Sequence, residues 1–314
     1  MPAVLSLSFT SLHSSAPPPT ATATTATATT AATAKTPHPK TFDPSSTTFL
    51  SPLNSGALSR DRLHRYYDGT PPFPCQTLNP SSNPQHCSTE SILRQIIVKF
   101  VQNSVPIDAK EVHESFEFYL RTRKRLLQSK HSSKNNSKNN SETLIKDYAA
   151  GHGLTGLLFL CCNPLLPLRL RSIDITVPSS YISIVNALEE CCPWIKGKHS
   201  YVLEDINQAV GNSQEDGVGD VVTLAIHACG SLTDSVIRRA GEDNSSRIAL
   251  MPCCPPPSKS LGIPLGIKRM YGNREATDIE RCYVLKAKGY RVDFASIPVE
   301  ITEMNRIIIA ERIE

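Results

Sequence analysis

From residue 143 onward the sequence alternates between two periodicities, and this alternation restricts the fold more than any other feature. "TLIKDYAA" (143–150), "LRLRSIDI" (168–175), "HSYVLED" (199–205), "DVVTLAIHA" (220–228) and "RIALMPCC" (247–254) read as strands. Residues 153–162, 179–191 and 234–241 read as helices between them, and the 179–191 helix is expected to bury Ile182, Ile184, Val185 and Leu188. Strands separated by helices of this length build a parallel sheet covered on both faces. The end of the chain departs from that rule. After a helix over 277–289, the strands 290–298 and 305–313 are joined by too few residues for a parallel crossover, so they are predicted to pair antiparallel. The fold class is therefore α/β.

The first third of the chain is different in kind. Residues 15–34 contain only Ser, Ala, Pro and Thr, and Pro and Ser persist to Pro84. Such a segment cannot bury enough apolar surface to fold, so residues 1–87 are expected to be disordered. The first acid is Asp43 and the first Arg is Arg60. An acid-free, Ser/Thr/Ala-rich start resembles an organelle transit peptide, and the missing Arg points to a plastid (chloroplast) address; the alternative is plain low-complexity chain in a cytoplasmic protein. Order is predicted from Ser88, an N-cap for a helix carrying Ile92, Ile96, Ile97 and Phe100, followed by a helix from Asp108 with Val112, Phe116, Tyr119 and Leu120 on one face. The domain reading is thus a helical extension over 88–128, a polar linker over 129–142 and the α/β domain over 143–314. No stretch reaches the roughly 18–20 apolar residues of a spanning helix, so a soluble chain with no membrane partner is expected.

Net charge is +4. Residues 143–314 carry 18 Lys/Arg against 20 Asp/Glu, whereas residues 119–140 carry seven Lys/Arg and no acid. That run is either a phosphate-binding surface, with RNA as the partner it suggests, or a solvated helix end. Six of the ten cysteines form adjacent pairs, Cys161-Cys162, Cys191-Cys192 and Cys253-Cys254. Neighbours are too close for relaxed disulfide geometry, and C-x-x-C spacing is missing, so free thiols in a reducing compartment and no metal ligand set are expected.

Gly151-His152-Gly153-Leu154-Thr155-Gly156 spells G-x-G-x-x-G at the first strand–helix turn. In an open α/β sheet that turn faces the ligand crevice. Asp174 ends the second strand, placed to accept ribose hydroxyls, and this satisfies dinucleotide and S-adenosylmethionine fingerprints alike. Two features favour the second. Asp147, at the end of the first strand, suits a ligand carrying an ammonium group and repels a pyrophosphate. Glu204-Asp205 ends the third strand, in reach of an adenine amino group.

The segment Asp147-Tyr148-Ala149-Ala150-Gly151-His152-Gly153-Leu154 resembles the D-x-x-A-G-x-G first motif of class I methyltransferases, with Ala149 where many have glycine. The segments His227-Ala228-Cys229-Gly230-Ser231-Leu232-Thr233-Asp234, Met251-Pro252-Cys253-Cys254 and Ile297-Pro298-Val299-Glu300-Ile301-Thr302-Glu303-Met304-Asn305-Arg306 resemble motifs of one methyltransferase-domain family. That family has bacterial members and is related to eukaryotic tRNA ribose methyltransferases. Relatives carry His after the paired cysteines, where this chain has Pro255. The resemblance covers about 143–313. It implies a Rossmann-like, mostly parallel seven-stranded sheet with an antiparallel last strand, and S-adenosyl-L-methionine as cofactor.

On this reading Asp147, Ala149, Gly151, Gly153, Asp174 and Asp205 bind cofactor. Asp174 has helix capping as its alternative role, and Asp205 that of a surface acid. His227 is the candidate catalytic base or else a core histidine. Cys229 and Cys254, with Cys253, are expected as buried thiols shaping a substrate pocket. Glu300 and Asn305 either reach the pocket mouth or brace the final turn. The expected activity is S-adenosylmethionine-dependent methyl transfer, with RNA as the favoured substrate class. Two rivals remain: an NAD(P)-dependent oxidoreductase, and an inactive methyltransferase fold that binds RNA.

Overall fold

The computed structural model describes residues 88–128, 142–208, 218–255 and 262–313. The expected transit segment, residues 129–141 of the polar linker and the Lys130, Lys134 and Lys138 part of the basic run lie outside the described residues, whereas Glu142, given to the linker, already belongs to the first strand. Two helices come first, α1 (Thr89–Gln102) and α2 (Ala109–Leu126). Ser88 caps α1 as predicted, its hydroxyl accepting from Ser91 N at 3.1 Å. There follow β1 (Glu142–Tyr148), α3 (Leu154–Cys161), β2 (Leu168–Asp174), α4 (Ser179–Cys191), β3 (His199–Leu203) and β4 (Val218–Ile226). The chain continues through α5 (Leu232–Glu242), β5 (Arg247–Met251), α6 (Leu265–Tyr271), α7 (Asn273–Ala287), β6 (Tyr290–Ser296) and β7 (Arg306–Arg312).

The seven strands form one sheet in the order β3-β2-β1-β4-β5-β7-β6. All neighbours are parallel except β7, which runs antiparallel to both β5 and β6. This is the Rossmann-like arrangement with a reversed last strand. The chain walks outward from β1 to β3, then returns to lay β4 against the other side of β1. That reversal opens a crevice at the carboxyl ends of β1 and β4.

The two sheet faces are covered unequally. On one, α3 is buried along its whole length, so it is apolar all round rather than amphipathic. Gly156 lets α3 lie that close to the sheet. A Cβ there would stand 2.6 Å from Leu170 Cδ1 and 2.9 Å from Asp147 Oδ2. Beside it α2 packs against both α3 and β5, and α1 packs on α4, so the helical extension shares one hydrophobic core with the sheet. The opposite face carries a smaller core built with Val236, Ile237 and Ala240 of α5 and Leu285 of α7. Beneath it Lys146 and Asp243 form a buried ion pair at 2.8 Å, and the Tyr148 hydroxyl donates to the same carboxylate at 2.5 Å.

Three expectations need correction. Ile182 is exposed, and α4 buries Tyr181, Ile184, Ala187, Leu188 and Cys191 instead, because the helical face is set by Ile184 and Leu188 four residues apart. β5 ends at Met251, so Pro252, Cys253 and Cys254 turn away from the strand. Helix α6 was not anticipated; it buries no residue, so periodicity carries no signal for it. No described helix is long and apolar enough to cross a membrane.

Candidate active site

The loop after β1 bends sharply. Ala149 has φ +53°, Gly151 +52° and Gly153 +70°, all in the left-handed region. Ala149 therefore occupies a conformation that costs a residue with a Cβ about 1–2 kcal/mol. At Gly151 the position of a Cβ meets nothing within 4 Å, so the backbone faces open space. Asp174, at the end of β2, holds this loop: its Oδ2 accepts from Gly151 N at 2.9 Å and its Oδ1 from Ile175 N at 2.7 Å. From the other side the Tyr201 hydroxyl donates to Gly151 O at 2.8 Å.

Around the loop lies a cleft of about 540 Å³ at the carboxyl ends of β1 to β4. The structure brings Asp147, Ala149, Gly151, Asp174, Asp205 and His227 together on its wall. Asp205 sits just beyond β3, and its Oδ1 accepts from Asn207 N at 2.9 Å. Asp147 forms the floor, 2% exposed, accepting from Gly156 N at 3.1 Å. Burial pushes its carboxyl up to about 7; the Gly156 bond pulls the other way and the Asp174 charge adds to the rise.

His227 follows β4 directly at φ +61°, a strained conformation for a residue with a Cβ. Its backbone N donates to Met251 O at 3.1 Å, and its Nε2 lies 2.9 Å from Glu114 Oε2 of α2. Glu114 is buried and also pairs with Lys110. Burial drives its carboxyl upward, but the hydrogen bond and charge of His227, with those of Lys110, outweigh that and leave it below the usual carboxylate range. An ionised carboxylate only accepts, so Nε2 carries a proton, and Nδ1 is the nitrogen that holds the lone pair when the ring is neutral. The N-terminal half of α2 thus belongs to the site. Its Glu111 and Ser115 line the cleft, and Thr155 of α3 donates to the Ser115 hydroxyl at 3.1 Å.

Five sequence-based candidates fall elsewhere. Gly153 is the residue before α3 and faces packing, with a Cβ there 3.1 Å from the Tyr181 ring. Cys229 and Cys254 are exposed rather than buried, because they sit on the turns that leave β4 and β5. Cys229 and Cys253 are joined as a disulfide, so neither is a free thiol in this structure. Asn305 braces the final turn: Asn305 Nδ2 donates to Ile297 O and Ile297 N to Asn305 O, each at 2.9 Å. Glu300 lies in the same turn, outside the cleft.

Sequence reading missed Glu111, Glu114, Ser115, His152 and Tyr201. The available signal was polar spacing in α2, where Lys110/Glu114 and Glu111/Ser115 stand four apart on a helix whose buried side includes polar residues. Nothing in the sequence ties them to residues more than 100 positions away. The basic run fares differently. Arg121 pairs with Glu117 at 3.2 Å, Arg125 with Asp293 at 2.6 Å, and Arg123 donates to Thr89 Oγ1 at 2.5 Å. Leu126 O accepts from Arg247 Nη1 at the start of β5, so this end of α2 lies at the amino end of the sheet. It stands about 20 Å from Glu111 along the helix, at 1.5 Å per residue.

No curated protein matches the sequence. Among solved structures, the CMeT domain of the citrinin polyketide synthase shares 19% identity over 70% of this chain and 57% of that one, with a TM-score of 0.40. An O-methyltransferase family protein from Burkholderia thailandensis shares 13% over 68% and 62%, at a TM-score of 0.35. Magnesium protoporphyrin IX methyltransferase from Synechocystis PCC 6803, with bound SAH, shares 13% over 70% and 86%, at 0.37. The chain thus spans less than two thirds of the length of the first two. A family model described as a methyltransferase domain matches residues 100–256, from the end of α1 to the turn after β5. The chain belongs to this methyltransferase-domain family.

Proposed function

We propose that the protein is an S-adenosylmethionine-dependent methyltransferase that uses the cleft between β1 and β4. The observation that carries this reading is the charge of the wall. Glu111, Asp174, Glu204 and Asp205 line the cleft above the buried Asp147, and among the described residues no Lys or Arg lines it. Such a site attracts a ligand with a sulfonium and an ammonium group and repels a dinucleotide pyrophosphate, which the NAD(P) reading requires. The residues fit the cofactor: Asp147 would face the ammonium, Gly151 the amino-acid backbone, Asp174 the ribose, and Asp205 the adenine. When bound, S-adenosylmethionine supplies a methyl group activated by its sulfonium.

The chain's own part is alignment and proton handling. Asp174 and Tyr201 fix the loop, which positions Gly151 without reorganisation on binding. Glu114 orients His227 so that Nδ1 accepts the proton of an acceptor hydroxyl or amine. The acidity of the cleft and the internal pairing of Arg121 and Arg125 speak for a small hydroxyl- or amine-bearing acceptor over RNA.

Calorimetry with the full chain tests the reading. S-adenosylhomocysteine should bind with one-to-one stoichiometry and NADPH should give no heat. Gly151→Val places a branched side chain in the open space at φ +52° and should abolish binding. Saturable NADPH binding, or unchanged S-adenosylhomocysteine affinity in the Val variant, would overturn it.

A further inference from the structure

We infer that Cys229, Cys253 and Cys254 form a thiolate site for a single zinc-class cation, beside the cleft but outside its wall. The three Sγ atoms lie within 4.8 Å of one another. Among the described residues this is the one group of three or more His, Cys, Asp or Glu side chains whose donor atoms converge. Three sulfurs around a tetrahedral zinc, at bond lengths near 2.3 Å, stand about 3.8 Å apart, so the observed spread needs only side-chain adjustment.

Backbone, rather than sulfur, brings the group together. Cys229 comes from the turn between β4 and α5, and the other two from the turn after β5. His227 N donates to Met251 O and Gly230 N to Cys254 O, both at 3.1 Å, so the two turns are clamped on either side of the thiols. Sequence spacing could not show this, since 24 residues separate Cys229 from Cys253.

The donor set selects the ion. Soft thiolates without a hard oxygen partner favour zinc and copper(I) over magnesium or calcium. Three protein ligands leave a fourth coordination position for water or another ligand, the pattern of an open zinc site. Exposure of Cys229 and Cys254 provides the entry path.

The Cys229–Cys253 disulfide is the oxidised form of the same group. A dithiol reductant delivers two electrons and two protons to that bond and is itself oxidised to a disulfide. The three resulting thiols then bind the cation and release their three protons to solvent. The disulfide employs two sulfurs and leaves Cys254 idle, whereas the cation employs all three. The four buried cysteines at the carboxyl ends of α3 and α4, at 161, 162, 191 and 192, form no such group of three donor atoms, and their burial denies an ion access.

The test uses the full chain, reduced by a dithiol, freed of metal by a chelator and titrated anaerobically with cobalt(II). A sulfur-to-cobalt charge-transfer band should saturate at one equivalent and vanish on adding zinc. Cys254→Ser and Cys229→Ser, each at an exposed position, should weaken cobalt at least about 100-fold, since outer-shell changes alone cost 10–100-fold. Cys282→Ser, away from the group, should leave the titration unchanged. The inference is overturned by a reduced protein without a thiolate band, by unchanged affinity in Cys254→Ser, or by a Cys229–Cys253 bond that survives the reductant, as read by alkylation and mass spectrometry.

Discussion

Replacing Asp147 by Asn should change how stability depends on pH, and the size of the effect follows from its position. Asp147 is 2% exposed at the floor of the cleft, and its carboxyl is pushed up to about 7. In the unfolded chain the same group titrates near 3.9. The fold therefore prefers the protonated acid. Its contribution is fully present below about pH 4 and is lost as pH rises through 7. Three units of difference at 1.36 kcal/mol each give about 4 kcal/mol. Asn cannot ionise, and its Oδ1 can keep accepting from Gly156 N. Urea unfolding of wild type and Asp147→Asn at pH 5, 6, 7 and 8 isolates the term, because all other titrations are shared. The variant should gain on wild type by about 1 kcal/mol per pH unit below 7 and level off above it. A difference that stays constant to within about 1 kcal/mol across the range would refute the argument. On the proposed function, an ammonium group beside Asp147 favours its ionised form, so S-adenosylhomocysteine should bind more tightly at pH 8 than at pH 6 in wild type but not in the variant.

Two further substitutions probe the backbone around the cleft. Ala149→Gly should raise stability by about 0.5–1 kcal/mol, because relief of the left-handed Cβ, roughly 1–2 kcal/mol, exceeds the entropic cost of glycine, and thermal melting reads it. Gly156→Ala should lower stability by about 1–3 kcal/mol, since the new methyl meets Leu170 at 2.6 Å and Asp147 at 2.9 Å; an unchanged melt would mean that α3 can move off the sheet.

The sheet and the place of the cleft were legible in the linear pattern of residues. Strand patterns of seven to nine residues alternating with apolar helices leave few topologies, and the short link between the last two strands forces the reversed β7. The glycine loop and the acids at strand ends were legible for the same reason. A residue at the carboxyl end of a parallel strand reaches the crevice whatever the details of packing, and Asp147, Asp174 and Asp205 do so. Local patterns failed where position depends on partners distant in sequence. Gly153 looked like Gly151, yet Tyr181 packs against it and removes it from the wall. Asn305 and Glu300 shared the motif of the final turn, and backbone bonds to Ile297 occupy Asn305 there.

Two features exist only once the layers have packed. Docking α2 on α3 carries Glu114 to His227 across 113 residues of sequence, turning a helical extension into one wall of the site. Parallel pairing of β4 with β5 sets their exit turns side by side and gathers three cysteines that no spacing rule connects. Hydrophobic periodicity encodes which face of an element is buried, because burial depends on neighbours three or four residues away. It does not encode which polar residues meet across that buried face, because those contacts exist only after the layers have packed.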